Sequence, residues 1–195
     1  INPQFEDTVG FDAKGLAAVE ANGKWGFINK KGRYVVNPQF DDAYWFTSEG
    51  LAVVESNGIY GYVDTKGSFV INPQFDEAYP FVGNVAVVRL GSKYGIINTK
   101  GQYVVNPNYS YIDNSGTNGM FYFLDNGKIG YLNASGKIVI NPQFDVFYMG
   151  YYGDYAVAGE FYADGYAVVR VGDQYGVIDK TGKYIINPQF DNVGN

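Results

Sequence analysis

Cysteine and histidine are both missing from this 195-residue sequence. Without them there is no Ser/His or Cys/His nucleophile pair, no imidazole acid or base, and no usual tetrahedral zinc site. Disulfides are excluded as well, so packing has to supply the stability, and cysteine usage says nothing of the redox compartment. Charge is scarce: 17% of residues are charged against 46% hydrophobic, and the net charge is −6. An acidic chain is a poor binder of the nucleic-acid backbone, which needs clustered Lys and Arg. Long apolar runs are also absent. None approaches the ~18 residues of a membrane-spanning helix, so no membrane insertion is expected. The sequence opens at Ile1 with neither an initiator Met nor a signal-like segment, as expected of a processed or excised piece. What remains is apolar material for a sizeable core in one domain or one uninterrupted array.

Proline is sparing but ordered. Every proline except Pro80 follows Asn and precedes Gln or Asn and an aromatic, at Pro3, Pro38, Pro73, Pro107, Pro142 and Pro188, with spacings of 35, 35, 34, 35 and 46. A second marker, an aromatic or Ile before Gly, keeps step at Trp25-Gly26, Tyr60-Gly61, Tyr94-Gly95, Ile129-Gly130 and Tyr175-Gly176. A third, Asn/Asp-x-x-Gly, runs from Asn29 to Gly32, Asp64 to Gly67, Asn98 to Gly101, Asn133 to Gly136 and Asp179 to Gly182. Three markers in phase define an internal repeat. The periods fall at about 1–36, 37–71, 72–105, 106–140 and 141–186, with a partial motif at 187–195, and together form a single array. The fourth carries Met120-Phe121-Tyr122-Phe123 where the others have an Ala-containing strand. The fifth holds an 11-residue excess between Phe144 and Gly165.

Each period reads as β structure with under about 10% helix, since no window carries a helical apolar stripe. Leu51 to Glu55 is a Val-rich strand, Asn57-Gly58 a tight turn, and Ile59 to Asp64 a second strand. Asp64-Thr65-Lys66-Gly67 predicts a turn with Gly67 in the left-handed region, and Ser68 to Ile71 a third strand. Asn72-Pro73 is expected to end the ladder, because Pro has no N–H to donate. The stretch from Phe75 to Gly83 fits a loop, a short helical turn or a fourth strand. A glycine in mid-strand suggests that something large, an aromatic ring of the neighbouring repeat, lies over that backbone. Apolar residues point to both faces, as stacked repeats require.

With these motifs the chain resembles the WG-repeat (KWG-repeat) family, whose unit pairs a strand like Gly50-Leu51-Ala52-Val53-Val54 with Lys24-Trp25-Gly26-Phe27-Ile28-Asn29, Lys31-Gly32 and Val36-Asn37-Pro38-Gln39-Phe40. The resemblance covers essentially the whole chain and departs from the family pattern in the Tyr or Ile that replaces Trp in four of five units. It implies a scaffold or binding array without catalytic residues. The fold expected is all-β: five tandem β-meander repeats of about 35 residues, in an open solenoid-like array favoured over a closed five-bladed β-propeller, because closure would not need both Ile1-Asn2-Pro3-Gln4-Phe5 and Ile186-Asn187-Pro188-Gln189-Phe190.

Carboxylates are the acid/base groups left. Asp41, Asp42, Asp76, Glu77, Asp145 and Asp191 follow the Asn-Pro motif, and a group that recurs with the repeat reads as a cap or a solvated side chain rather than as half of a glycosidase pair. Asp113-Asn114-Ser115 is the best local set for calcium, although an ordinary polar loop explains it as well. No cofactor and no metal are expected, and no phosphate loop is visible among the glycines. Lys30, Lys31, Lys66, Lys100, Lys180 and Lys183 surround the turn before the third strand, while the carboxylates lie at its far end, which sets a basic rim against an acidic one. The excess in the fifth period is rich in rings that no repeat position requires. Tyr148, Tyr151, Tyr152, Asp154, Tyr155 and Tyr162 are therefore the candidate ligand-binding residues, suited to stacking on sugars or to protein contacts. The expected function is a non-enzymatic module, exported by a bacterium, that presents an extended β surface to a protein or glycan ligand. The alternative is a self-assembling component of a surface layer or filament, or a cytoplasmic scaffold.

Overall fold

The structure is a computed structural model and describes residues 5–147 and 159–191. The chain divides into two compact units, Ile1–Pro107 and Asn108–Asn195. In the first, each repeat is a four-stranded antiparallel meander. One sheet holds β1 (Asp7–Thr8), β2 (Leu16–Ala21), β3 (Lys24–Asn29) and β4 (Tyr34–Phe40) in that order. The next holds β5 (Asp42–Ala43), β6 (Leu51–Ser56), β7 (Ile59–Asp64) and β8 (Phe69–Phe75). The third holds β9 (Glu77–Ala78), β10 (Val85–Leu90), β11 (Lys93–Asn98) and β12 (Tyr103–Tyr109), with the boundary between the two units falling inside β12.

The second unit is one seven-stranded sheet in sequence order: β13 (Tyr111–Ile112), β14 (Met120–Asp125), β15 (Lys128–Asn133), β16 (Ile138–Asp145), β17 (Tyr166–Val171), β18 (Gln174–Asp179) and β19 (Tyr184–Phe190). A single pairing, Asp145 with Arg170, joins its two repeats. Met120–Asp125, where the sequence is most degenerate, is a regular strand paired along its whole length with β15. The helical content of the described residues is one 3-10 turn, Thr117–Gly119, and no helix among them is long and apolar enough to cross a membrane. No ladder among these residues pairs a strand of the first repeat with one of the last, which is the pairing pattern of the open array.

The turns form as the sequence predicts. Asn57 and Gly58 both take positive φ, 55° and 79°, which a two-residue hairpin of matching twist demands. Gly67 has φ 80° and its amide donates to the Asp64 carbonyl at 2.9 Å, while the Asp64 side chain accepts from the amides of Lys66 and Ser68. Of the three readings open for the segment after the Asn-Pro motif, the strand is the one that forms, as the two-residue β5, β9 and β13.

Two expectations are corrected. The Asn-Pro motif does not end the ladder: Asn72 and Pro73 lie inside β8, and Tyr60 pairs with Phe75 while Tyr62 pairs with Ile71, so the strand bulges between the two pairs. A bulge leaves residues outside the ladder and so tolerates an imino acid that cannot donate. The mid-strand glycine, moreover, does not sit under a ring of the next repeat. A Cβ on Gly61 would lie 2.7 Å from the Ile71 carbonyl oxygen and 2.7 Å from Pro73 N, both in the bulge of its own sheet. Gly26, Gly95 and Gly176 meet the same backbone, and Gly130 meets a ring as well, but that of Phe123 in its own repeat.

Repeats are joined by their cores. Phe27, Val36 and Phe40 of the first repeat share a cluster with Phe46, Val54 and Val63 of the second. The next cluster joins Tyr62, Ile71 and Phe75 to Phe81, Val88 and Ile97. Within the second unit Tyr131, Ile140 and Phe144 meet Phe161, Val169 and Ile178. The turn glycine is part of the same joint, since a Cβ on Gly67 would stand 2.7 Å from the Val36 methyls of the preceding repeat. Gly58, with a similar φ, has nothing within 4 Å of that position. Gly58→Ala should therefore cost about 1 kcal/mol for its backbone alone, and Gly67→Ala about 2 kcal/mol or more, because it adds overpacking between repeats. Urea denaturation of the two variants checks this, and equal losses would show that the joint does not press on the turn.

Candidate functional site

The carboxylates after the Asn-Pro motif have a structural task. They reach across to the hairpin turn that follows and accept its amide protons. Glu6 takes those of Asn22 and Gly23, Asp41 that of Asn57 at 2.7 Å, Asp76 that of Gly91 and Asp145 that of Gly172 at 2.9 Å. Asp41 and Asp145 are also ion-paired with Lys24 and Lys128. Hydrogen bonds from those lysines, ahead of the turn amides, hold both carboxyls below their usual range. Glu77 is held low by Arg89, with the Tyr79 and Tyr94 hydroxyls donating to its other oxygen. Glu6, Asp41, Asp76, Glu77 and Asp145 are thus each bound to a turn or to a partner side chain. No group of three or more acidic residues placed to hold a metal ion occurs among the described residues.

Asp113 departs from this pattern. It is buried, with one carboxylate oxygen accepting the Ser115 amide at 3.0 Å and the other 2.8 Å from the Ser115 hydroxyl, so the Asp113-Asn114-Ser115 set closes on itself as a polar loop. Burial pushes its carboxyl up, and burial followed by the charge of Asp113 pushes Glu160 up in the same direction. Nearby Tyr131 is buried too, and its hydroxyl donates to the Gly159 carbonyl at 2.7 Å.

Of the candidate ligand residues, Tyr148, Tyr151, Tyr152, Asp154 and Tyr155 lie outside the described residues. Tyr162 is described and 52% exposed. It opens the turn that ends at Gly165, whose amide donates to the Tyr162 carbonyl at 2.8 Å, and the same carbonyl accepts from the Asn118 side chain. Its place in the turn matches that of Asp12 and Thr47, so Tyr162 belongs to the repeat and not to the excess. A shallow cavity of 340 Å³ adjoins it, between Asn118, the Ala163–Tyr166 turn and Lys180.

A larger cavity, 520 Å³, lies within the first unit, where the loops before β2 and β6 face each other. Its walls are Phe11 and Asp12 on one side and Trp45, Phe46 and Ser48 on the other, with Phe81 beyond. Phe46 is a ring laid over the third strand of the preceding repeat: it stands 4.6 Å from Phe27, as Phe81 stands 4.9 Å from Tyr62 and Phe161 5.1 Å from Tyr131. Phe11 holds the same place in the first repeat but remains 45% exposed, and Trp45 beside it is also 45% exposed. Asp12 fixes both walls, accepting the amides of Lys14 and Leu16 with one oxygen and that of Phe46 at 2.9 Å with the other. The result is an open groove lined by two exposed rings, in the size range of ligand sites, roughly 300–1,000 Å³. Periodicity alone marks Phe11 as a core ring. In the described structure it is nevertheless exposed, and nothing in the sequence sets Trp45 apart from Tyr44.

The WG containing repeat family matches residues 1–25, 25–58, 60–94, 94–128, 129–175 and 175–195. The chain belongs to this family. WG repeats therefore account for its whole length, and the glycine pressed against the Asn-Pro bulge is the structural reason for the motif's Gly. No curated protein matches the chain in sequence. Among solved structures it is similar to Hsv2 of Kluyveromyces lactis, at 11% identity and a TM-score of 0.53, over 91% of this chain and 62% of that one. A eukaryotic initiation factor gives 12% identity and 0.55 over 94% and 54%, and Hsv2 of Kluyveromyces marxianus 12% and 0.52 over 91% and 64%. At such identities the likeness is one of fold alone, to propeller-like structures of which the chain spans less than two thirds.

The acid side chains give opposite pH signatures. Asp41, Asp145 and Glu77 have lowered folded values, so their contribution is complete above the unfolded value near pH 4 and is lost as pH falls below it. Asp113 and Glu160 are raised, so above about pH 4 the folded state binds more protons than the unfolded one and stability falls as pH rises. Urea midpoints measured from pH 4 to 7 should therefore decline, and Asp113→Asn should flatten the decline. An unchanged slope in that variant would mean that Asp113 is ionised without cost.

Proposed function

We propose that this WG-repeat chain is a non-enzymatic interaction module that binds a protein or glycan ligand, and that the groove between Phe11 and Trp45 is where it does so. The observation that carries this reading is the pair of open rings on a rigid frame. The Asp12 carboxylate ties the two loops together, and Phe46 anchors the second loop in the core. A flat ring held in place gives a large contact area at little entropic cost, which suits both the faces of sugar rings and the apolar side chains of a protein. The cleft has no pair of free carboxylates to work as acid and base, since Asp12 spends both oxygens on backbone amides. Its volume admits a short oligosaccharide or one protruding loop.

Trp45 makes the test direct, because its emission reports on the groove while Trp25 is half-buried in β3. Titration with soluble hexasaccharides of β-1,4-linked glucose and N-acetylglucosamine, and hits from glycan and protein arrays, should quench or blue-shift Trp45. Trp45→Ala should retain the fold and weaken binding by about tenfold or more, the loss of one stacked ring. Ligands that bind Trp45→Ala as tightly as the parent would place the site elsewhere.

A further inference from the structure

The first unit is electrically polar from end to end. Antiparallel pairing puts the turns at Asn29–Gly32, Asp64–Gly67 and Asn98–Gly101 at one end of its sheets and the hairpins at Asn22-Gly23, Asn57-Gly58 and Gly91-Ser92 at the other. At the turn end Lys14, Lys30, Lys31, Arg33, Lys66 and Lys100 face only Asp12, Glu49 and Asp64. None of these six cations forms an ion pair among the described residues, and the carboxylates of Asp12 and Asp64 are occupied by backbone amides. At the hairpin end carboxylates outnumber cations by eight to three, and two of the three cations, Lys24 and Arg89, are already paired.

Exposed apolar groups accompany both charges. The groove of Phe11 and Trp45 lies at the basic end, since the loops that form it lead into Leu16 and Leu51, which pair with Asn29 and Asp64. Beside it the outer strands begin with exposed Tyr34-Val35 and Phe69-Val70. At the acidic end Ile59 and Leu90 stand exposed on the hairpins. The basic end therefore fits a protruding, acidic, apolar-tipped partner, and the acidic hairpins of the same chain have that chemistry.

We infer that a second copy of this chain is a partner of the groove, with the acidic hairpin end of one molecule's first unit docking on the basic end of the next. This rests on the groove reading and names its occupant. The contact is heterologous, one patch against a different one, so a bound pair still offers one free basic end and one free acidic end, and association continues past the dimer. The attraction is electrostatic over a span that salt screens, with a Debye length of about 10 Å at 0.1 M and about 3 Å at 1 M.

Sedimentation velocity over a concentration series at low and at about 1 M salt tests the inference on the whole chain. The weight-average mass should climb past that of a dimer at low salt and return to the monomer at high salt. Lys66→Glu with Lys100→Glu should be monomeric, as should Asp7→Lys with Asp42→Lys, and mixing the two variants should restore association, which no folding defect could do. Trp45→Ala should weaken it about tenfold or more. A parent that is monomeric under all conditions or stops at the dimer, or association indifferent to salt or to Trp45, would overturn the inference. If the parent stays monomeric while an added oligosaccharide still quenches Trp45, the self-association fails and the groove reading stands. If neither response occurs, both fail.

Discussion

A single ring contact organises both units of this chain: the aromatic that the second, third and fifth repeats lay over the third strand of the repeat before them. A lone four-stranded sheet with apolar residues on both faces has no way to bury them, so a repeat acquires a core only when its successor covers it. Phe46 on Phe27, Phe81 on Tyr62 and Phe161 on Tyr131 are the same joint in three places. The joint is directional, with a ring on the leading side and a strand face on the trailing side. Phe11, in phase with Phe46, is 45% exposed, and Phe190, the counterpart of the buried Phe40 and Phe75, is 46% exposed.

A second constraint works inside each repeat. The Asn-Pro motif swells the outer strand into a bulge, and the swelling is accommodated only because the strand beside it carries a glycine with no Cβ to collide. The two motifs that mark the repeat are therefore halves of one close backbone approach. The bulge also directs the chain out of one sheet and into the short first strand of the next, where the following carboxylate seizes the turn amides of the hairpin. In this way a local irregularity sets the hand-over between repeats, and the acidic position after the motif fastens it.

The same geometry sorts charge. Because a meander alternates its turns between two ends, any preference of one turn for lysine and of another for carboxylates is amplified repeat by repeat into opposed ends. The carboxylates belong where they are for structural reasons, as caps. The lysines of the opposite turns in the first unit form no ion pair among the described residues, and so they, together with the exposed rings of the groove, are the groups free to act on something else.

Much of this was legible in the residues alone. The period, the strands, the left-handed glycines of the turns, the two-faced burial and the capping carboxylates all follow from local chemistry: positive φ, hydrogen-bond acceptors at fixed offsets, and alternation of apolar side chains. The sequence by itself therefore determined the repeat, its all-β character and the direction of its charge. It did not determine what lies over what. That the glycine faces its own Asn-Pro backbone, that the strand runs on through Pro73, and that Tyr162 belongs to a repeat turn depend on pairing registers no single period reveals. Nor could spacing distinguish Phe11 from Phe46, which share a phase although one is exposed and the other is buried against Phe27. Exposure is a property of the assembled sheets, and tertiary structure alone decided that Phe11 and Trp45 are the exposed rings that line the groove of the first unit.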